Sequence, residues 1–274
     1  MCSRLMNSMS RMRDQQYLVD EQYRDASNLN ARGDVHARFS TNKYPWFLWV
    51  FDHLRLPEQA RVLEVGSGPG TLWLDNARRI PAGWEVTLSD LSPGMLDEAR
   101  RNLHDIGRPF DYAVVDAQAI PFPDGSFDAI IANHMLYHAP DPRLTLAEVR
   151  RALQPGGRFY AATNGPAHLR ELNEFLPGPA ADLPYGGEYS FGLDNGRDLL
   201  ASPFAHVTLH RRDDALAVTE VAPVVAFILS SPKELGLDDE GRAEVAARVE
   251  RELATRGVIR LTKDTGLFEA WGER

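Results

Sequence analysis

Val62-Leu63-Glu64-Val65-Gly66-Ser67-Gly68-Pro69-Gly70 carries the reading of this chain, together with Asp90, about twenty residues further on. A short apolar run ends in an acid and a glycine-rich turn, and the periodic segment 71–80 then predicts a helix. The next apolar run, 85–89, closes on Asp90. Strand, glycine turn, helix, strand, acid is the opening of a nucleotide-binding α/β unit. The glycines let backbone approach a ligand, and the acid accepts hydrogen bonds from ribose hydroxyls.

Working outward, strand and helix signals keep alternating. Ser92-Pro93 supplies a cap and a first-turn proline for a helix reaching about residue 103. Residues 112–115 read as a third strand, and 127–132 as a fourth after the turn Pro123-Asp124-Gly125-Ser126. Asp141-Pro142 repeats the cap and proline, the helix turns Leu146, Val149 and Leu153 inward, and Pro155-Gly156-Gly157 stops it before strand 158–163. This alternation predicts a mainly parallel sheet. Residues 164–196 are rich in Pro, Gly and aromatics and too long for an ordinary connection, so they read as a lid or substrate loop. Beyond them lie a strand at 206–211, a short extended piece and two helices within 215–257, and strand-like runs at 257–262 and 267–271. One of those two runs is expected to supply an antiparallel strand. Upstream, 17–38 predicts one or two short helices, and 44–54 places Phe47, Val50, Phe51 and Leu54 on one helical face.

Composition narrows the function. The 274 residues carry a formal net charge of −9, against the basic balance of a general phosphate-backbone binder, so no nucleic-acid partner is expected. The single cysteine, Cys2, builds neither a disulfide framework nor a cysteine zinc site within one chain, and suits a cytoplasmic setting. The basic start has no apolar centre and is not read as a secretory signal, while Met6, Met9 and Met12 leave the start position open. The apolar stretch 218–229 is too short to span a bilayer and holds Glu220 and Pro223, so no membrane partner is expected. His134 and His138 stand four apart without the glutamate of a zincin motif, and no metal is expected. The G-x-S-x-G elbow of a serine hydrolase is absent.

The glycine spacing is G-x-G-x-G rather than the G-x-G-x-x-G of nicotinamide enzymes, and E-V-G-S-G-P-G resembles the first motif of the class I S-adenosylmethionine-dependent methyltransferases. Later segments resemble the same family in order. They are Asp90 at the end of the second strand, Asp116-Ala117 after the third, Phe127-Asp128 through Asn133, Leu136 and His138 around the fourth, and Leu153-Gln154-Pro155-Gly156-Gly157 before the fifth. The likeness covers about residues 61–163. It implies a Rossmann-like doubly wound α/β sheet of seven strands, mostly parallel with an antiparallel edge strand, under an N-terminal helical lid. The division expected is 1–42 as tail and lid, then 43–274 as the methyltransferase domain, with 164–200 as a lid or substrate insertion.

The resemblance implies S-adenosylmethionine as cofactor. Glu64 would orient the loop and the methionine amino end, beside Gly66, Ser67, Gly68 and Gly70. Asp90 would hold the ribose, Leu91 and Met95 the adenine face, Asp116 and Ala117 the adenine edge, and Asn133 and His134 the region of the methyl. His134 and Tyr137 are the candidate catalytic residues, with His168 and the more remote Glu188 as further bases. His138 and Asp128 read as braces and Leu136 as core. Tyr17, Tyr23, Arg38 and Phe39 are a second source of site residues, and Tyr185, Tyr189 and Phe191 either line an acceptor pocket or pack the lid. The function implied is methyl transfer to a small-molecule acceptor, at oxygen or carbon ahead of nitrogen. Two other readings share features: an NAD-dependent oxidoreductase, opposed by the loop spacing and Asp116-Ala117, and a cofactor-binding partner protein without turnover. Oligomeric state is not specified by the sequence.

Overall fold

The structure, a computed structural model, describes residues 12–178, 185–186, 189–230 and 237–273; Cys2, Met6, Met9 and Glu188 lie outside them. Its strands are β1 Gln59–Val65, β2 Gly83–Asp90, β3 Asp111–Val114, β4 Phe127–Asn133, β5 Leu153–Asn164, β6 Phe204–Arg212, β7 Ala215–Val218, β8 Ile259–Thr262 and β9 Thr265–Glu273. Seven form one sheet in the order β3-β2-β1-β4-β5-β9-β6, and β7 and β8 form a separate ribbon. The pairings β1–β2, β2–β3, β1–β4 and β4–β5 are parallel, and β9 runs antiparallel to both β5 and β6. The expected seven-stranded, mostly parallel sheet is present, with its one reversed strand next to the border strand β6. Of the two terminal strand-like runs, 267–271 joins the sheet as β9, and 257–262 supplies β8 of the ribbon.

Side-chain alternation explains why these strands read as continuous apolar runs. Val62, Val86, Leu88, Ile131, Tyr160 and Leu267 pack on one face with Trp73 and Leu103. Their neighbours Leu63, Ile130, Phe159, Ala161 and Phe268 pack on the other with Leu146, Val149 and Phe204. A parallel sheet covered on both faces has no polar side to display.

Besides short helical turns, among them Gln15–Tyr17 and Leu18–Gln22, the described α-helices are α1 Ser27–Phe39, α2 Trp46–Asp52, α3 Thr71–Asp75, α4 Pro93–Leu103, α5 Pro142–Ala152, α6 Gly196–Leu200, α7 Val221–Leu229 and α8 Asp239–Arg256. The two cap-plus-proline starts form as read, with Ser92 accepting from Met95 N at 3.3 Å and Asp141 from Arg143 N at 2.8 Å. The helix expected over 71–80 is confined to α3. Buried Asn76 donates to Leu72 O at 2.8 Å and to Phe47 O at 3.0 Å, so the side chain caps one helix and ties it to α2. A local hydrogen-bonding residue here outcompetes the apolar period.

A third apolar cluster forms the cover over the carboxyl ends of the strands. It joins Val35 and Phe39 of α1, Leu216 and Val218 of β7, Val224 and Ile228 of α7, Val245 and Val249 of α8, and Leu261 of β8 to Leu169, Leu172 and Phe175. The cover therefore draws on three separate stretches of chain. Phe191, Leu193 and Leu200, by contrast, belong to the sheet core, and Phe191 meets Phe268 edge-on at 5.8 Å.

The segment before α1 rests on the start of α4. Ser92 Oγ donates to Tyr23 O at 2.7 Å, and a Cβ on Gly94 would stand 2.0 Å from Arg24 O. Glycine at 94 is thus a condition for seating the N-terminal cover. Gly94→Ala is expected to lift that segment and leave the sheet intact, because local opening is separable from global unfolding. Limited proteolysis within 13–38 would speed up by about tenfold or more, with the thermal midpoint shifted by only a few degrees. Unchanged cleavage in Gly94→Ala would refute the packing argument.

Candidate functional site

The order β3-β2-β1-β4-β5 reverses between β1 and β4, and ligands of open α/β sheets bind outside the strand ends at such a switch. A cavity of about 1050 Å³ lies there. This is at or above the upper end of the range for one drug-sized ligand, so it has room for a cofactor and an acceptor.

At its sheet end, Glu64, the last residue but one of β1, is only 2% exposed. Trp73 Nε1 donates to one carboxylate oxygen at 2.6 Å and Asn133 Nδ2 to the other at 2.9 Å. Burial raises the carboxyl to about 8 against those two donors, and the nearby Asp90 adds to the rise. Asn133 Oδ1 and Ser67 Oγ are buried without a hydrogen-bond partner among the described residues. A buried acid with unpaired polar neighbours suits a ligand that brings its own cation and donors.

The loop after β1 has little freedom. Gly66, Gly68 and Gly70 all have positive φ, and a Cβ on Gly66 would lie 2.7 Å from Met135 Cβ. Gly68 N donates to Asp90 Oδ2 and Ser92 N to Asp90 Oδ1, each at 2.9 Å. Asp90 thus fixes the loop, and burial raises its pKa. Asp116 accepts from Gln118 N at 2.9 Å and from Gln15 Nε2 at 2.9 Å.

Of the predicted cofactor residues, Glu64, Gly66, Ser67, Gly68, Asp90, Leu91, Met95, Asp116, Ala117, Asn133 and His134 all line the cavity. Gly70 does not. Its left-handed backbone starts α3, and a Cβ there would press on Leu103 at 3.0 Å, so its role is helix packing.

Both candidate catalytic residues line the cavity too. His134 takes φ 52, a backbone conformation costly for a side chain of this size, while its N–H donates to Ala162 O at 2.9 Å. Its ring sits 5.3 Å from that of Trp46, and burial, with Lys263 adding, lowers its pKa to about 4. Tyr137 lies beside His138 and Tyr189, ring centroids 4.6 and 5.4 Å away, and burial pushes its hydroxyl pKa well above the ordinary value. His138, which also lines the cavity, is held at both ring nitrogens. Its Nε2 faces Tyr23 Oη at 2.9 Å and its Nδ1 faces Met12 O at 2.9 Å, which assigns the proton to Nδ1.

Tyr23, His168, Tyr185 and Tyr189 also reach the cavity, but Tyr17, Arg38, Phe39 and Phe191 do not. Arg38 pairs at the surface with Asp34 and Glu220, and Phe39 is in the cover core. The arginine of this helix that lines the site is Arg32, one helical turn or more earlier, with its guanidinium 5.6 Å from the Tyr23 ring centre. Sequence reading also passed over Gln15, His36, Trp46, Arg212 and Lys263, all of which line the cavity. The pattern around Trp46 signalled an apolar helical face, and nothing local marks the other four.

Comparison with known proteins agrees with this geometry. A family model described as a methyltransferase domain matches residues 63–161. The chain is 33% identical over 186 residues to a malonyl-[acyl-carrier protein] O-methyltransferase of Geobacter sulfurreducens, covering 65% of this chain and 67% of that protein. It is 36% identical over 137 residues to a demethylmenaquinone methyltransferase of Renibacterium salmoninarum, covering 50% of this chain and 54% of that one. Phosphoethanolamine N-methyltransferase 2 of Haemonchus contortus, solved with S-adenosyl-L-methionine, shares the fold with a TM-score of 0.59 at 18% identity, over 96% of this chain and 60% of that one. With the glycine loop, Glu64, Asp90 and Asp116 converging on one cavity, the chain belongs to the class I S-adenosylmethionine-dependent methyltransferases.

Proposed function

We propose that this protein transfers a methyl group from S-adenosylmethionine to a small-molecule acceptor, at oxygen or carbon. The observation that carries the proposal is one continuous cavity joining Glu64, Asp90 and Asp116 at the sheet end to His134, Tyr137 and the cover. The residues fit the cofactor. Glu64 would take the methionine ammonium, Asp90 the ribose hydroxyls, Asp116 the adenine amine, and Leu91 and Met95 the ring face. The unpaired Ser67 Oγ and Asn133 Oδ1 would gain partners. When bound, S-adenosylmethionine supplies an electrophilic methyl on a sulfonium, so the protein's work is positioning and exclusion of water.

His134, held neutral, and Tyr137, held protonated, serve in this reading as hydrogen-bonding and positioning groups on the acceptor side. Residues 12–42 and 165–178 are read as lid elements over the catalytic domain, whereas Phe191, Leu193 and Leu200 of the expected lid insertion pack into the sheet core. No described helix is long and apolar enough to cross a membrane. The single cysteine is in keeping with a cytoplasmic setting, and the −9 net charge with a partner that is not nucleic acid.

The reading predicts saturable calorimetric binding of S-adenosylmethionine and S-adenosylhomocysteine, with none for NAD. Asp90→Asn keeps one acceptor oxygen of two and is expected to weaken both ligands about tenfold or more. Well-folded protein that ignores both sulfur ligands, or prefers NAD, would sink the proposal.

Glu64 adds a pH signature. Its folded pKa of about 8 lies above the ordinary carboxyl value of 4.5, so the free protein binds a proton there that the unfolded chain has released. Stability of the free protein therefore falls as pH rises from about 4.5 to 8. An ammonium beside Glu64 favours the ionised form, so cofactor affinity should rise over the upper part of that window, by up to about tenfold per pH unit, and level off above 8. Glu64→Gln should flatten both dependences. Melting curves and titrations at several pH values check this, and a Glu64→Gln protein with unaltered slopes would contradict it.

A further inference from the structure

The cavity is electrically polarised. Its sheet end presents the acids Glu64, Asp90 and Asp116. Under the cover, Lys263 from the β8–β9 turn and Arg212 from the end of β6 line the wall. One buried carboxylate, Asp214, stands between them. Lys263 Nζ lies 2.5 Å from Asp214 Oδ2, and Arg212 Nε lies 3.9 Å from the same oxygen, beyond hydrogen-bond reach. The three side chains are 6%, 2% and 0% exposed. Two buried cations facing one anion leave an excess positive charge, which is costly away from water unless an anion arrives to match it.

Asp214 has no capacity to spare for this excess. It also accepts from Ser40 Oγ at 2.5 Å, Asn42 N at 2.9 Å and Ala215 N at 2.8 Å. Arg212 spends its other nitrogens on Tyr44 O and Pro45 O, and the buried Nε has no hydrogen-bond partner among the described residues. Trp46 Nε1, another buried donor, has none among them either. The guanidinium lies 5.8 Å from the Trp46 ring centre, and the Trp46 ring lies 5.3 Å from His134. A chain of side-chain contacts thus runs from Lys263 and Asp214 through Arg212 and Trp46 to His134, the side where methyl transfer is proposed. Leu169, Tyr185 and Phe227 add apolar surface nearby.

Resting on the methyltransferase reading, we infer that the acceptor is a small amphipathic acid, whose oxyanion is held by Lys263, Arg212 Nε and Trp46 Nε1 while its apolar body lies under the cover. The surrounding acid–base groups agree with such an acceptor. His36 and His134 are lowered to about 3 and about 4 by burial with Lys263 adding, which makes both weak bases at neutral pH, and Tyr137 keeps its proton. An acid that arrives ionised requires no base.

The test uses protein saturated with S-adenosylhomocysteine and titrated with octanoate and benzoate, then with the isosteric amides octanamide and benzamide. Both acids are expected to bind saturably and each amide about tenfold or more weakly, because buried donors to a charged acceptor discriminate strongly. Lys263→Met should erase the preference for acid over amide without altering S-adenosylhomocysteine affinity. Trp46→Phe, which keeps the ring and deletes one donor, should weaken the acids about threefold to tenfold. Because Lys263→Met also strips Asp214 of its cation and can unfold the chain, the wild-type acid–amide comparison and Trp46→Phe stand independently of it. Equal binding of acid and amide, or no acid binding to the loaded protein, overturns the inference. Failure of S-adenosylhomocysteine itself to bind overturns the methyltransferase proposal instead.

Discussion

Everything at the sheet end of this molecule is arranged around one buried carboxyl group, that of Glu64. Glu64 is the last residue but one of β1, and its two oxygens are held by Trp73 from the following helix and Asn133 from the neighbouring strand. Those two bonds join β1, α3 and β4 at the place where the strand order reverses. The backbone joins in as well, since Ser89 Oγ donates to Glu64 O and Ser67 N to Ser89 O, each at 2.9 Å. Removing one partner from such a network leaves a buried polar group unsatisfied, so its members have to be read as a unit.

The same acid sets the character of the cavity. Burial holds it near the point where it gains or loses a proton at physiological pH, and a cationic ligand decides the outcome. At the opposite wall the logic is inverted, with Lys263 and Arg212 set around Asp214, which Lys263, Ser40 and the Asn42 N–H hold down to about 2 against burial. One cavity thus offers negative charge where a cationic cofactor is proposed and positive charge where an acceptor is proposed. A zwitterionic arrangement of this kind orients two different ligands without a partition between them.

The sheet end was legible in the sequence because its chemistry is local. Glycine spacing, an acid at a strand end and cap-plus-proline starts each occupy a few consecutive residues, and Glu64, Asp90 and Asp116 face the cavity as read. The cover end was not legible, because its residues meet only through folding. Lys263 and Asp214 are distant in sequence, Arg212 reads as an ordinary charged residue at a strand end, and His36 lies on a helix with no local sign of its partners. The choice of Arg38 failed for a related reason. Its position places it at the surface with Asp34 and Glu220, whereas Arg32 faces inward. Length misled once as well, at the helix expected over 71–80, where Asn76 ends the turn by bonding to backbone on two elements.

The placement of β9 has a consequence for how the chain reaches this state. Arg158 pairs with Trp271 and Val207 with Ala270, so the strand between β5 and β6 is supplied long after both have been synthesised. Until then the outer side of β5 is an open row of backbone donors and acceptors, a template for intermolecular pairing. The intervening chain, including α7 and α8 of the cover, must also emerge before that side is closed. Closure of the sheet is therefore a late, non-local event, of the kind that slows folding and lengthens exposure to aggregation on the ribosome.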